Sequence, residues 1–418
     1  MKMKPILVSD YRLRDACALS NVKNYAAAAG LLAEYLVDHP GDVEAMFSYA
    51  VCLADLHRYG DAWNVVRELL RMAPDHVMGL NLAACLAGSQ GMAFGKLARY
   101  DFRRALELAP SSPLVQWNYS LWQIQHGEWG EGWARYEWGV AAGHRPVRMH
   151  GPLWDGQTGL DGKTLFVWAE QGLGDSIMAL QVLYSVAMAH PRCRIVLEVP
   201  AALVRLARES GVAARVCSPV ADGSVPERFD FHVSLMSLIR FYCPSPECLP
   251  LARNYLRCRE AEAEWADRLR GYGGFRVGLV WAGNAAHPND WNRSVAPSVL
   301  LPLLGRQAAF FSFQQGWEPE RVELELPGVV PLGHLFGDLA DTAGALRNMD
   351  ILIAVDTSVA HLGGACGMPA VWMLTPVLCD YRWGLGRSWT PWYDNFELFR
   401  QTEIGRWDDV IARMVAML

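Results

Sequence analysis

A short polar segment near the C-terminal end carries the residues best suited to binding an anion. Asp356, Thr357 and Ser358 follow a buried apolar run, and His361 comes four residues after Thr357. A carboxylate and two hydroxyls in succession are typical of a helix N-terminus. In a helix that begins here, Thr357 and His361 lie on one face, one turn apart. Free amides and the helix dipole at such an end favour phosphate or another anion.

A second polar turn lies between a strand predicted at 164–169 and a helix predicted from Ile177 to His190. Its glycines permit a tight turn, but the dinucleotide fingerprint GxGxxG is incomplete because no third glycine follows. A carboxylate at Asp175 would repel a pyrophosphate, so this turn suits a neutral substrate that carries a hydroxyl. Asp175 therefore has two interpretations, a helix cap and a general base. The residues of this turn that matter are Gln171, Gly172, Gly174 and Asp175.

Both turns belong to series of alternating strands and helices. One series covers 164–235, and a second begins with a strand at 275–282 and includes strands at 351–355 and 370–374. Such alternation predicts two parallel sheets with helices on their faces. Two such sheets joined by a hinge form a cleft between facing strand ends, which is the usual place for a ligand.

The N-terminal third of the chain is predicted to be helical and repetitive. Closing prolines lie at Pro40, Pro74 and Pro110, 34 and then 36 residues apart, and alignment on them pairs Ala28 with Ala62. This period, with small alanines and a closing proline, resembles the tetratricopeptide repeat, in which each unit is a pair of helices. Such arrays stack into a superhelix whose concave face usually binds a protein partner. The alternative is a purely structural cap on the next domain.

These patterns divide the chain into four parts. We predict a helical repeat domain at 1–145, a linker rich in glycine and proline at 146–162, an N-terminal sheet domain at 163–272 and a C-terminal sheet domain at 273–418. Trp154 is expected to anchor the linker against a domain. The predicted fold class is an all-α repeat array followed by two α/β domains.

Composition excludes several classes of protein. With 418 residues, 52% hydrophobic and 20% charged, the chain is expected to be globular and to have several domains. Its net charge of −6 gives no sign of the basic surface that nucleic-acid binding requires. Neither a signal peptide nor a membrane span is apparent, so we expect a cytoplasmic protein. Ten scattered cysteines contain no CxxC pair, and we expect no metal site.

Five motifs, in order between about residues 160 and 403, resemble glycosyltransferase family nine, the heptosyltransferases. Because these motifs follow a repeat array, the chain is also similar in layout to flagellin glycosyltransferases. The motifs are WAEQGLGD at 168–175, WAGNAAHPNDWNRS at 281–294, DLADTAGAL at 338–346, VDTSVAHLGGACGMP at 355–369 and a closing segment from Arg382 to Gln401.

The resemblance implies a GT-B fold, in which the C-terminal sheet binds a nucleoside-diphosphate sugar and the N-terminal sheet presents the acceptor. It also implies an inverting transfer that needs neither metal nor cofactor. In this interpretation Asp175 matches the carboxylate that takes a proton from the acceptor hydroxyl. Thr357, Ser358 and their helix amides would neutralise the diphosphate, with His361 as a donor.

Other residues take supporting roles by the same resemblance. Arg293 is the only cation of these motifs near the anion turn, and Gln315 stands where many relatives have a lysine. Asp341 and Thr342 would support the site from behind, and Gln171, Gly172 and Gly174 would form an acceptor-side loop. The residues expected to bind the donor are Gly283, Asn284, Arg293, Gln314, Asp356, Thr357, Ser358 and His361.

The leading hypothesis is a cytoplasmic glycosyltransferase whose repeat array recruits a protein acceptor and whose cleft transfers a sugar to a Ser or Thr hydroxyl. Two alternatives stay open. One is an adaptor whose sheet domains bind a nucleotide sugar without turnover or are vestigial. The other is a transferase for lipopolysaccharide or another glycan, which the helical array makes less natural.

Overall fold

The chain forms two separately packed units. The computed structural model describes residues 10–88, 94–148, 151–220, 223–225, 227–250 and 254–418. Unit 1 comprises the chain up to Trp122 together with Arg135–Ala142, and unit 2 comprises Gln123–Ala134 and Gly143–Leu418. In the described ranges, no helix combines the length and the apolar character needed to cross a bilayer.

Unit 1 is helical throughout its core. Successive helices pack in pairs, α1 with α2, α3 with α4 and α5 with α6, and the last two helices cross the division between the units. The helices are α1 (Tyr11–Asn21), α2 (Tyr25–Asp38), α3 (Val43–Asp55), α4 (Tyr59–Met72), α5 (Val77–Ala87), α6 (Gly95–Leu108), α7 (Pro113–Gln125) and α8 (Trp129–Tyr136).

The predicted repeat signals have direct structural causes. Pro40, Pro74 and Pro110 each lie two residues past the end of α2, α4 or α6, where proline cannot continue a helix. Ala28 and Ala62 are fully buried, so only a small side chain fits between the paired helices. Enlarging such a position is expected to cost about 1–3 kcal/mol. The predicted array of tetratricopeptide-like helix pairs is therefore confirmed.

The first sheet of unit 2 is parallel and has four strands in the order β3-β2-β1-β4. Its strands are rich in buried Val, Leu and Ile, as expected for strands covered on both faces. They are β1 (Thr164–Trp168), β2 (Arg194–Glu198), β3 (Arg215–Cys217) and β4 (Phe231–Ser234).

The second sheet of unit 2 has six strands in the order β10-β9-β8-β5-β6-β7, and every pair in it is parallel. All five residues of β8 are buried. The strands are β5 (Arg276–Val280), β6 (Ala309–Ser312), β7 (Val330–Pro331), β8 (Ile351–Val355), β9 (Val371–Thr375) and β10 (Phe396–Arg400).

Helices connect the strands of both sheets, as parallel pairing requires. The predicted class of two α/β domains with the GT-B arrangement of sheets is confirmed. The helices are α9 (Leu173–Leu180), α10 (Val182–Ala189), α11 (Ala201–Glu209), α12 (Ser237–Tyr242), α13 (Arg259–Arg268), α14 (Asp290–Arg293), α15 (Pro319–Glu325), α16 (Leu339–Leu346), α17 (Ser358–Ala365) and α18 (Asp408–Met417).

Strand order shows where each sheet leaves room for a ligand. In the first sheet the chain runs outward from β1 to β3 and then returns to the other side of β1 as β4. In the second, β6 and β7 extend from one side of β5, while β8 continues on the other side. Such reversals open a crevice at the carboxyl ends of the central strands. These ends carry the polar turns that follow β1, β5 and β8.

The segment predicted as a linker is partly built into the first sheet. Arg145 pairs with Glu170 just after β1, with 2.9 Å between Nη2 and Oε1, and both side chains are buried. Arg148 pairs with Glu198 at the end of β2. Trp154 is buried, and its backbone amide donates to the carbonyl of His232 in β4 at 2.8 Å. Two arginines and one tryptophan therefore fix this segment to the sheet.

Candidate functional site

The predicted anion turn follows β8 as expected. Thr357 has extended backbone angles and caps α17, and its Oγ1 accepts a hydrogen bond from the amide of Ala360 at 3.5 Å. The first amides of any helix lack intrahelical acceptors. Helix α17 has no acidic residue in its first turn. Its positive end is therefore available to a bound anion.

His361 lies one turn inside α17 and is almost fully buried. Its Nδ1 lies 2.8 Å from the hydroxyl of Tyr393, and its Nε2 lies 3.9 Å from a carboxylate oxygen of Asp356, beyond hydrogen-bond distance. Nε2 is buried without a hydrogen-bond partner among the described residues. Burial, and after it the charge of Arg382, lowers the pKa of His361 well below its usual range. The imidazole is therefore neutral at pH 7, with one nitrogen still unpaired beside the cleft.

The turn after β1 differs from its prediction in one respect. The helix was expected from Ile177, whereas α9 already begins at Leu173 with Gly172 as its N-cap. Gly172 takes extended backbone angles as the N-cap, and glycine is one of the residues preferred at that position. Asp175 is therefore the third residue of α9 and not its cap. The helix also breaks at Gln181, where α10 follows.

Gly174 brings the two helix ends together. A Cβ atom at this position would lie 2.7 Å from Cδ2 and 3.1 Å from Nε2 of His361. Carbon atoms do not approach so closely, so a side chain here would push α9 away from α17. Glycine is required at this position by the close packing of the two helices, beyond any need for a tight turn.

Arg382 links the two helix ends electrostatically. Its Nη2 lies 2.6 Å from Oδ1 of Asp175, and its Nε lies 3.3 Å from Oδ1 of Asp380. The side chains of Arg382 and Asp175 are 12% and 14% exposed, so solvent screens this pair only weakly. The next residue, Trp383, is fully buried and lies against His361 with 5.0 Å between ring centroids. Arg382 is thereby held at the start of α17.

Three carboxylates share this one buried arginine. Burial raises the pKa of Asp175. The nearby charge of Arg382 opposes this rise, and the negative charges of Asp380 and Asp356 add to it. Burial likewise raises the pKa of Asp356 against the charge of Arg382. Both carboxyl groups therefore bind a proton more readily than ordinary aspartates, which is a property of general bases that work near neutral pH.

The turn after β5 forms the other wall of the site. Arg293 donates from Nη1 to the carbonyl of Asp356 at 3.1 Å, and its Nε lies 3.2 Å from Asp290. The amide of Gly283 donates to Ser294 at 2.9 Å. Asn284 is exposed, with its Oδ1 accepting from the amide of Ala286 at 3.0 Å. This wall therefore presents an arginine and backbone groups to the cleft.

Gln314 lines the cleft and is held there by hydrogen bonds to the backbone. Its Oε1 accepts hydrogen bonds from the amides of Trp281 and Ala282, at 3.2 and 2.9 Å, and its Nε2 donates to the carbonyl of Gln315 at 3.3 Å. Both ends of the amide are therefore engaged by backbone. Gln314 ties the end of β6 to the end of β5 and shapes the cleft wall.

One cavity of about 630 Å³ collects most of the predicted residues. Gln171 does not line it, and neither do Asp341 and Thr342, which were expected only behind the site. Asp341 instead pairs with Arg205 of α11 at 2.9 Å, and the hydroxyl of Thr342 donates to Asp338 at 3.1 Å. The predicted residues that do line the cavity are Gly172, Gly174, Asp175, Gly283, Asn284, Arg293, Gln314, Asp356, Thr357, Ser358 and His361.

The sequence interpretation missed several cleft residues. Arg382 and Asp380 are the most important, because Arg382 is a second cation beside Arg293 and Asp380 is its neighbouring carboxylate. Arg382 opens the closing motif quoted above, so a signal existed, but no role was assigned to it. Tyr393, which contacts His361, lies in the same motif. His287 and Asn289 are further polar lining residues that were not predicted. In the described part of the chain, no three His, Cys, Asp or Glu side chains are arranged to hold a metal ion.

The fold and the site define a class: an array of helix pairs in one unit, and in the other two parallel sheets with a polar cleft at their carboxyl ends. No family model matches the chain. It is similar to the protein FlbA of Caulobacter vibrioides, with 26% identity over a 462-residue alignment that covers 94% of this chain and 75% of that protein.

Three solved structures each resemble part of the chain. A glycosyltransferase family 9 protein from Veillonella parvula is 14% identical, covers 59% of this chain and 88% of its own, and has a TM-score of 0.45. Heptosyltransferase II of E. coli is 10% identical, covers 61% and 99%, and scores 0.43. A tetratricopeptide-repeat protein from Thermus thermophilus is 19% identical, covers 31% and 72%, and scores 0.30.

Proposed function

We propose that the protein is a glycosyltransferase that moves a sugar from a nucleoside-diphosphate sugar to a hydroxyl acceptor. The observation that carries the proposal is the meeting of two helix ends in one cleft. Helix α17 has no acid in its first turn, and its cap Thr357 engages only the amide of Ala360, while α9 places the carboxylate of Asp175 opposite. A diphosphate suits the first end, and a proton-accepting carboxylate belongs at the second.

The donor would lie along the carboxyl ends of β5 and β8. The amides of Ser358 and Val359, the Thr357 hydroxyl and Arg293 provide positive potential for the diphosphate. Gly283 and Asn284 would border the rest of the donor. A volume of about 630 Å³ falls within the range of about 300–1,000 Å³ that ligand sites usually have.

The transfer would be one displacement with inversion. Asp175 takes the proton of the acceptor hydroxyl, and the acceptor oxygen forms a bond to the anomeric carbon. The bond between that carbon and the phosphate oxygen breaks, and the nucleoside diphosphate leaves with the electron pair. Amides and guanidinium groups stabilise the charge that grows on the leaving phosphates. Asp175 then releases its proton to solvent.

The proposed transfer uses no metal and no resident cofactor. Positive charge for the leaving group comes from Arg293, from Arg382 and from the N-terminus of α17. We expect the transfer rate in excess EDTA to equal the rate in Mg²⁺ or Mn²⁺. A loss of activity in EDTA that added metal restores would contradict this part of the proposal.

The acceptor is proposed to be a protein recruited by unit 1. A concave pocket of about 680 Å³ in unit 1 supports recruitment of a protein, because its lining has more basic than acidic side chains. Long exposed side chains such as Lys96 and Tyr100 can contact an extended segment of a partner. The charged lining residues are Arg67, Asp75, Lys96, Arg99, Asp101, Arg103, Arg104 and Glu107.

The first experiment identifies the donor. Thermal unfolding of the full chain is followed with UDP-, GDP-, CMP- and dTDP-linked sugars, since a ligand that binds only the folded state raises the unfolding temperature. Transfer is then measured with the stabilising donor and candidate protein acceptors. Asp175→Asn should bind this donor and fail to transfer its sugar. If the wild type binds a donor but transfers to no acceptor, the adaptor hypothesis replaces the enzyme.

A charge reversal tests the recruitment of the acceptor. Lys96→Glu should raise the KM for a protein acceptor and leave kcat and donor binding unchanged, because Lys96 lies in unit 1. Arg71→Glu is the matched control, since Arg71 is an exposed helical cation of unit 1 outside this surface. Equal KM values for both variants and the wild type would argue against recruitment by this surface.

A further inference from the structure

The cleft holds more acidic than basic side chains at the point where a diphosphate would bind. Asp175, Asp356 and Asp380 surround Arg382, and the other lining arginine, Arg293, already contacts Asp290 and the carbonyl of Asp356. A diphosphate would add further negative charge next to these carboxylates. Binding therefore requires a cation that can turn from a carboxylate to a phosphate.

Arg382 has the geometry for such a turn. Its backbone is fixed, because its carbonyl accepts a hydrogen bond from the indole of Trp392 at 3.1 Å and its amide donates to Asp380 at 3.2 Å. The guanidinium uses Nη2 for Asp175, while Nη1 makes no hydrogen bond with the described residues. A planar guanidinium with a free edge can bind phosphate oxygens in pairs.

We propose that Arg382 exchanges partners during the reaction: it leaves Asp175 for the diphosphate of the bound donor, and this exchange frees Asp175 to take the acceptor proton. The inference rests on the proposed function and assigns a role to a residue that no motif reasoning had used. In the ion pair, Arg382 opposes the rise in the pKa of Asp175 that burial causes, because the guanidinium stabilises the charged carboxylate. The carboxylate becomes a stronger base once the donor has drawn Arg382 away, so the acceptor is activated most when a sugar is in place.

Removing the carboxylate should therefore release Arg382 to the phosphates. Binding of ADP, GDP, UDP, CDP and dTDP to the full chain is measured by calorimetry in EDTA, and the tightest ligand is kept. Asp175→Asn should bind it at least about threefold more tightly than the wild type, since coupled charges in contact typically interact to this degree. The corresponding nucleoside, which has no phosphate, should bind both proteins equally.

A double-mutant cycle separates exchange from general electrostatics. In an Arg382→Gln background, Asp175→Asn should change the affinity less than twofold, because no arginine is left to release. Arg382→Gln alone should weaken binding by about tenfold or more. Titrations run to millimolar ligand and include competition against a fluorescent nucleotide, so that weak binding stays measurable. Arg382→Lys, which keeps the charge without the planar group, should recover part of the affinity.

Arg205→Lys is the matched control. Arg205 also joins the two sheet domains, through ion pairs of 2.9 Å to Asp341 and 3.6 Å to Asp338, but it does not line the cleft. Its nucleotide affinity should equal that of the wild type. Thermal unfolding of each variant checks that it is folded.

The outcomes are distinguishable. If no nucleoside diphosphate binds the wild type, the proposed function fails, and the exchange fails with it. If one binds but Asp175→Asn does not tighten it, or tightens it equally in the Arg382→Gln background, the exchange alone is overturned. A gain that depends on Arg382 supports it.

Discussion

The two strand-to-helix turns that meet in the cleft have the same construction and opposite contents. Helices α9 and α17 each have eight residues and each follows the carboxyl end of a central strand. Helix α9 carries an acid, Asp175, in its first turn, whereas α17 carries none. One helix end thus supplies its own anion, and the other leaves its positive end for an anion from outside. Two turns of similar construction can therefore serve different purposes, the turn at α9 as a base and the turn at α17 as a phosphate site.

The largest expected effect comes from the acid that distinguishes α9. Asp175→Asn keeps the size of the side chain but cannot accept a proton, so kcat for transfer should fall about 10²- to 10⁴-fold. Transfer is measured under saturating donor. Asp341→Asn is the control, because Asp341 faces Arg205 outside the cleft. If both variants lose activity equally, the contrast between the two helix ends does not explain catalysis.

The contact between the two helix ends should be sensitive to one methyl group. Gly174→Ala places a Cβ 2.7 Å from the ring of His361, and overpacking of this kind costs about 1–3 kcal/mol. Denaturant unfolding of unit 2 reports the loss, and transfer should weaken as Asp175 shifts. At Gly30, in α2, a Cβ meets nothing within 4 Å. Gly30→Ala should therefore be neutral or stabilising, and an equal loss there would contradict the steric explanation.

The pH dependence of stability should separate the buried groups of the cleft. Burial lowers the pKa of His361. The contribution of neutral His361 to the free energy of unfolding is therefore fully present above the ordinary pKa of about 6.5, and it is lost as pH falls toward the pKa of the folded state. The loss is at most about 1.4 kcal/mol per pH unit. His361→Asn should flatten the unfolding free energy between pH 6.5 and 5, measured by denaturant titration. If the free energy of unfolding of His361→Asn depends on pH as strongly as that of the wild type, a group other than His361 takes up the proton.

Catalysis should respond to pH through the other helix. Burial raises the pKa of Asp175, so kcat/KM should fall as pH decreases through a value above the usual aspartate pKa of about 3.9. The effect of Asp175 on stability has the opposite sign. Because its pKa is raised in the folded state, its stabilising contribution is fully present below the ordinary pKa and is lost as pH rises through the folded value. A rate profile with its acid limb at or below the ordinary value would contradict the assignment of Asp175 as a base.

The smallest effect concerns the cap of α17. Thr357→Ala removes the hydroxyl that accepts from Ala360, and loss of an N-cap typically costs about 1 kcal/mol. The 3.5 Å length of this bond places the cost at the lower end. Nucleotide affinity, measured by calorimetry, should fall more than stability does, because the hydroxyl also faces the cleft. Thr357→Ser should restore both. Full affinity in the alanine variant would show that the amides alone bind the anion.

Local patterns predicted much of the fold because their causes are local. Closing prolines, small alanines and apolar runs describe single helices and strands, and the parallel sheets follow from their alternation. The anion turn was predicted for the same reason, since Thr357 caps the helix that directly follows it. The start of α9 was missed because Gly172 and Gly174 read as a loop, whereas packing against His361 extends the helix through them.

Residues with roles that depend on distant packing could not be placed from the sequence. Arg382 lies in a single 3-10 turn, and nothing near it in the chain shows that it meets Asp175, 207 residues away. Asp341 and Thr342 sit in a motif with the right order along the chain but on a helix that faces Arg205. Trp154 was expected to anchor the predicted linker and is buried, whereas nothing near Arg145, just before the linker, shows that it pairs with Glu170.

The ion pairs of Arg145 and Arg148 decide where a shortened version of this protein has to begin. A chain that starts after residue 148 contains every strand of both sheets, but it leaves the buried carboxylates of Glu170 and Glu198 without these partners. Losing one partner of a buried pair costs about 3–5 kcal/mol, a large share of the 5–15 kcal/mol, roughly, that stabilises a typical domain. Expression of the sheet region by itself therefore has to retain Gly143–Arg148.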